Sequence, residues 1–119
     1  MHALARLTGG LTSGMNKTEG RYADYLTMLE YSGDVLQWDY EPEKLRLADK
    51  CLYIPDFRVV LADRVIEMID VKACMRDGKP LVRDDALVKM KVASELHPYR
   101  FVMTWNHQGR WVQRVFKDD

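Results

Sequence analysis

The chain has 119 residues, 47% of them hydrophobic, and its 18 Lys and Arg are balanced by 18 Asp and Glu. That size fits one domain with a real core and excludes two independent ones, while a net charge of zero argues against a uniformly basic nucleic-acid binder. No apolar run approaches the roughly 20 residues needed to cross a bilayer, and the opening MHALARLTGG lacks the apolar core of a secretory signal, so the expected location is cytoplasmic, with no membrane association.

The balanced total hides a split. Residues 1–71 hold 8 Lys and Arg against 12 Asp and Glu, and residues 72–119 hold 10 against 6. An acidic half joined to a basic half suits a site that collects cations beside a surface that accepts phosphate; a solvated mixture of charges is the other reading. Cys51 and Cys74 form no CxxC pair, and reduced thiols are expected. His2, His97 and His107 are scattered, which argues against a histidine-rich zinc site and makes oxygen the expected ligand for any metal. No glycine-rich phosphate loop or other organic-cofactor motif is present.

In chain order, residues 1–15 are rich in Gly, Ser and Thr without period and read as a flexible arm, and residues 16–119 as a single domain. Asn16, followed three residues later by Glu19, starts a helix that runs to about Ser32 and stops at Gly33. VLQWDYEP and KLRLA read as a strand and an extended connection. YIPDFRVVL and RVIEMIDVKA read as two strands of a hairpin turning at Ala62 to Arg64. A second helix is expected from about Asp84 to Leu96, capped by Asp84 or Asp85 and ended by His97-Pro98. RFVMTW, the turn NHQG and RWVQRVF close the chain as another hairpin. The fold class is α/β with a mixed (α+β) sheet, helices covering the sheet.

Several charges point inward. At about 100° per residue, Glu19 shares its helix face with Tyr22, Ala23, Leu26 and Leu29. It either closes the capping box alone or aims a carboxylate at something cationic. Asp70 and Lys72 are two apart, so they leave one face of their strand after Ile66 and Met68. With a loop centred on Asp63, residues whose numbers sum to 126 face each other, which sets Asp56 opposite Asp70. Like charges placed so are destabilising unless a partner joins them, and a hard divalent cation is such a partner. On the second helix Val92, Ala93 and Leu96 flank Lys89, which reaches toward the sheet or snorkels to solvent; Lys91 lies nearer the edge.

A helix bearing Glu19, then PD at Pro55-Asp56, then DVK at Asp70 to Lys72 after a hairpin, then a lysine-bearing helix, resembles the PD-(D/E)xK nuclease superfamily, and in length and spacing its small phage-type members, including Holliday-junction resolvases. The resemblance covers about residues 16–106. It implies a restriction-endonuclease-like αβββαβ core, here extended by a C-terminal hairpin, and a Mg²⁺- or Mn²⁺-dependent endonuclease acting on DNA. Asp56 and Asp70 would ligate the cation with the Val71 carbonyl, and Glu19 would join directly or through water. Lys72 would position the attacking water and offset charge at phosphorus. The chain departs from the pattern in carrying Asp70 where Glu is commoner and Ala73-Cys74 after the lysine.

The basic half offers Arg83, Lys89, Lys91, Arg110 and Arg114 as phosphate contacts. Trp105 and Trp111 could stack on bases, but packing beside the hairpin turn is the favoured reading. Nothing in the sequence reads bases, so a structure-selective or partner-directed nuclease is expected, and a homodimer would suit paired cuts. The alternative is a catalytically silent nuclease-fold module that binds nucleic acid or protein.

Overall fold

The computed structural model describes residues 14–116, so all but the last two residues of the N-terminal arm, and His2 with them, lie outside the described residues. The described elements are α1 (Lys17–Ser32), β1 (Val35–Tyr40), β2 (Leu45–Ala48), β3 (Cys51–Tyr53), β4 (Phe57–Leu61), β5 (Ile66–Lys72), α2 (Asp84–Leu96), β6 (Arg100–His107) and β7 (Arg110–Phe116). They form a mixed α and β domain built on one five-stranded sheet, ordered β1-β4-β5-β6-β7.

Helix α1 begins as the sequence predicts. The Asn16 side chain accepts from Glu19 N at 2.8 Å and Glu19 Oε1 accepts from Asn16 N at 3.0 Å, the reciprocal capping box. It ends at Gly33, whose φ of 87° is the left-handed conformation that glycine adopts without strain. Tyr22, Ala23 and Leu26 of α1 pack with Trp38, Phe57, Val59, Ile69, Val71 and Val102 on one face of the sheet. On the other face Met90 and Ala93 of α2 pack with Leu45, Tyr53, Met68, Phe101, Met103, Trp105 and Phe116. Strand β5 lies between the layers and alternates between them, Ile69 and Val71 to α1, Met68 to α2. It pairs antiparallel with β4 and parallel with β6, which requires the crossover that α2 supplies.

The β4–β5 register has Phe57 opposite Ile69 and Arg58 opposite Met68, the alignment expected from the loop. Arg64, at φ 72°, takes the left-handed position of the short connection. The C-terminal hairpin turns on Gln108 and Gly109, φ 52° and 84°, a tighter turn than the four residues NHQG. Positive φ at both central positions suits the twist of the strands it joins.

Four expectations are corrected. YIPDFRVVL is not one strand: β3 ends at Tyr53, β4 starts at Phe57, and Pro55, with no N–H to give a ladder, lies between them. KLRLA is not a connection, because β2 pairs with β3 in a separate two-stranded sheet. The N-cap of α2 is Arg83, without a side-chain cap bond, while Asp84 and Asp85 occupy the first turn, where carboxylates favour the helix dipole. The buried face of α2 also differs from the expected arc. Met90 and Ala93 are fully buried, whereas Val92 and Leu96 are 37% and 55% exposed and Val88 is 57% exposed.

Candidate active site

At the end of β5, the two-residue period sends Asp70 and Lys72 to the α2 face of the sheet, continuing the line of Met68. Lys72 Nζ lies 3.2 Å from Asp70 Oδ2, and both side chains are largely buried, 20% and 8% exposed. Asp56 comes from the break between β3 and β4. Continuing the register beyond Phe57 brings Asp56 to Asp70 and Pro55 to Val71.

Pro55 has no amide to return to the Val71 carbonyl. The Val71 N–H, which a continued ladder would have given to the strand, donates instead to Asp56 Oδ2 at 2.8 Å. The main chain of Asp56 is held as well, its carbonyl accepting from Glu41 N at 2.7 Å. Proline thus ends the pairing at the point where a carboxylate takes it over.

The two carboxylates interact directly. Burial, then a hydrogen bond to Asp70 and repulsion from its charge, push the Asp56 carboxyl well above the usual carboxylate range; the Val71 N–H opposes this and Glu19 adds slightly to it. A buried acid that resists ionisation beside a second acid, with one lysine against the second, is a cluster short of positive charge when both acids ionise.

Glu19 is buried at the first turn of α1, on the opposite layer from Asp70, and its carboxylate is already engaged. Besides the capping bond, Oε1 accepts from the Tyr40 hydroxyl at 3.1 Å. Burial, then the Glu19 charge and this hydrogen bond, raise the Tyr40 phenol above its ordinary pKa. Among the described residues no three His, Cys, Asp or Glu side chains converge as a ready-made metal cluster. The structure therefore brings together Asp56, Asp70, Val71 and Lys72, and leaves Glu19 as a neighbour that acts through charge.

Sequence reasoning missed two residues here. Arg58, two positions beyond Asp56, donates to Glu43 Oε1 at 2.9 Å and to Asp39 Oδ2 at 3.1 Å. Tyr53, 7% exposed, is enclosed in the α2-side core next to the acid pair. A pattern of alternation could have placed Arg58 on the Asp56 face; nothing local to Tyr53 marks it, since its position depends on pairing with Leu45.

The five basic residues are spread over α2 and the edge strand β7. Arg83 is exposed, 3.5 Å from Asp85; Lys89 is half-buried and Lys91 exposed. Arg110 and Arg114 are exposed and leave β7 on the α2 side, since Arg114 pairs with Met103, and the Arg114 guanidinium sits 4.8 Å from the centre of the Phe116 ring. Both tryptophans are packing residues. Trp105 is buried with Nε1 donating to Gly78 O at 2.9 Å, and Trp111 meets the Tyr22 ring edge-on at 4.9 Å. A cleft of about 650 Å³ lined by Arg64, His97, Tyr99 and Arg100 opens at the opposite end of β5, beside Ile66, away from the acid pair.

The all-oxygen donor set of Asp56, Asp70 and the Val71 carbonyl fits a hard divalent cation such as Mg²⁺ or Mn²⁺. Comparison with known proteins finds no matching family model, no matching curated protein and no matching solved structure.

Proposed function

We propose that this chain is a metal-dependent endonuclease of the PD-(D/E)xK type that hydrolyses phosphodiester bonds in DNA. The observation that carries the reading is the facing pair Asp56 and Asp70, buried together with Lys72 at the end of the central strand. The element order supports it: helix, three sheet strands, crossover helix and a parallel fourth strand are what the αβββαβ core implies, with β2–β3 as an insertion and β7 as the added hairpin strand.

Asp56 and Asp70 would hold the cation through their carboxylate oxygens, with the Val71 carbonyl as a further donor, and Glu19 would contribute through its charge and through water. When bound, Mg²⁺ or Mn²⁺ supplies Lewis-acid stabilisation of the phosphoryl oxygens and lowers the pKa of water. Lys72, fixed against Asp70, orients the attacking water and offsets charge that develops at phosphorus in a site where Coulomb terms are less screened than in bulk. Arg83, Lys89, Lys91, Arg110 and Arg114 hold the DNA backbone, and no residue is assigned to base reading, so selectivity comes from DNA structure or from a partner.

The test is a panel of linear, nicked, flapped and four-way DNA substrates incubated with Mg²⁺, Mn²⁺ or EDTA. Cleavage should require the metal and fall by at least about 100-fold in Asp70→Asn, which keeps its shape but loses charge. Metal-independent cutting, or full activity in that variant, sinks the proposal. The outward apolar line of Val88, Val92 and Leu96 favours a second reading, a catalytically silent nuclease-fold module that works through nucleic-acid or protein contacts. DNA binding without cleavage on every substrate in Mn²⁺ would select it.

A further inference from the structure

We infer that the Tyr53 hydroxyl is a ligand-contacting group of the Asp56–Asp70 site, its oxygen accepting a hydrogen bond from a water in the shell of the bound divalent cation. The inference rests on the metal-dependent reading above.

Tyr53 closes β3 opposite Leu45, and its ring packs in the core with Met68, Met103 and Trp105. The side chain is more than nine-tenths buried, yet its hydroxyl has no hydrogen-bond partner of acceptable geometry. Buried hydroxyls are rarely left so, because the lost hydration is uncompensated. Its polar surroundings are the acid pair: Asp70 and then Asp56 are the charges that act on it. The acid pair is engaged elsewhere: Asp70 Oδ2 lies 3.2 Å from Lys72 Nζ, and Asp56 Oδ2 accepts from the Val71 N–H at 2.8 Å.

A phenylalanine would fill the same volume without orphaning a polar group, so packing gives the hydroxyl no task. A cation between the carboxylates supplies what is missing. Mg²⁺ and Mn²⁺ retain several waters when held by few protein ligands, and a water polarised by the ion presents an O–H to the walls of the site. The phenol oxygen acts as a neutral acceptor and transfers no proton, and burial keeps its own hydrogen in place.

The experiment uses the full chain and Mn²⁺ alone as probe, comparing wild type, Tyr53→Phe and Asp70→Asn by titration calorimetry, with thermal unfolding in EDTA alongside. Wild type should bind Mn²⁺, Asp70→Asn should not, and Tyr53→Phe should bind about tenfold more weakly, the loss of a hydrogen bond assisted by charge. In EDTA the Tyr53→Phe protein should melt at the wild-type temperature or above it, because the orphaned group is gone. Equal Mn²⁺ affinity in wild type and Tyr53→Phe overturns the inference and leaves the reading of the site standing. A lower melting temperature of Tyr53→Phe in EDTA also overturns it, since the hydroxyl would then have a structural partner. Failure of wild type to bind Mn²⁺ overturns the reading of the site itself, and the inference with it.

Discussion

Asp56 is where chain geometry becomes chemistry. Its folded-state pKa is pushed up to about 9 by burial and by Asp70, against about 4 for a free carboxylate. A raised acid pKa means that the folded chain holds the proton more tightly than the unfolded one. The associated stability is fully present below about pH 4 and is lost as pH rises toward about 9. The melting temperature in EDTA should therefore fall across that window. Mn²⁺ bound at this carboxylate would displace the proton, so its stabilising effect should grow with pH, which melting curves with and without the ion over the same window would show. Glu67 is also raised, chiefly by burial and partly offset by Arg100, so Asp56→Asn should flatten only part of the slope. The part reversed by Mn²⁺ belongs to Asp56. A constant Mn²⁺ effect at all pH values would contradict this assignment. Asp56, Asp70 and Lys72 were legible as residues because alternation and a short loop fix who faces whom; Tyr53 was not, because its place depends on β2–β3 pairing.

At the level of elements, α1 was readable to its ends, since a capping box and a left-handed glycine act within four residues of each terminus. Asn16→Ala should cost about 1 kcal/mol in denaturant unfolding, losing the bond its side chain accepts from Glu19 N while keeping the backbone N–H that binds Glu19 Oε1. Helix α2 was readable in extent and misread in orientation. Its apolar residues cover two lines, Val88, Val92 and Leu96 on one side and Leu87, Met90 and Ala93 on the other, and periodicity alone does not choose between them. The sheet chose the line that carries Met90, which fills the space beside Phe101 and Met103. Met90→Ala should cost roughly 2–5 kcal/mol, whereas Val88→Thr should stay within about 0.5 kcal/mol of wild type. Equal effects of the two substitutions would contradict the observed face.

For the whole molecule, one sheet separates two layers, and the site lies where its central strand runs out. The basic residues assigned to DNA lie on the α2 side, the face to which Asp70 and Lys72 also project. If all five contact phosphates, the logarithm of the DNA affinity should fall with the logarithm of salt at a slope of about −4 to −5, and each Ala substitution should remove about one unit. Fluorescence anisotropy in Ca²⁺, where cutting is suppressed, would measure it. A slope near zero would remove these residues from the interface. A homodimer suited to paired cuts should give a solution mass of two chains in light scattering; one chain at working concentration would exclude it.

The sequence by itself determined both helices, the register that sets Asp56 against Asp70, and the alternation that aims Lys72 beside them, because each depends on residues close in the chain or joined by a short loop. Tertiary structure decided the pairing of β2 with β3, the buried face of α2, the engagement of Glu19 by Tyr40 and the enclosure of Tyr53. Those depend on which surfaces meet after distant segments close on one another. The competing arrangements share one hydrophobic pattern, and the packed core alone separates them.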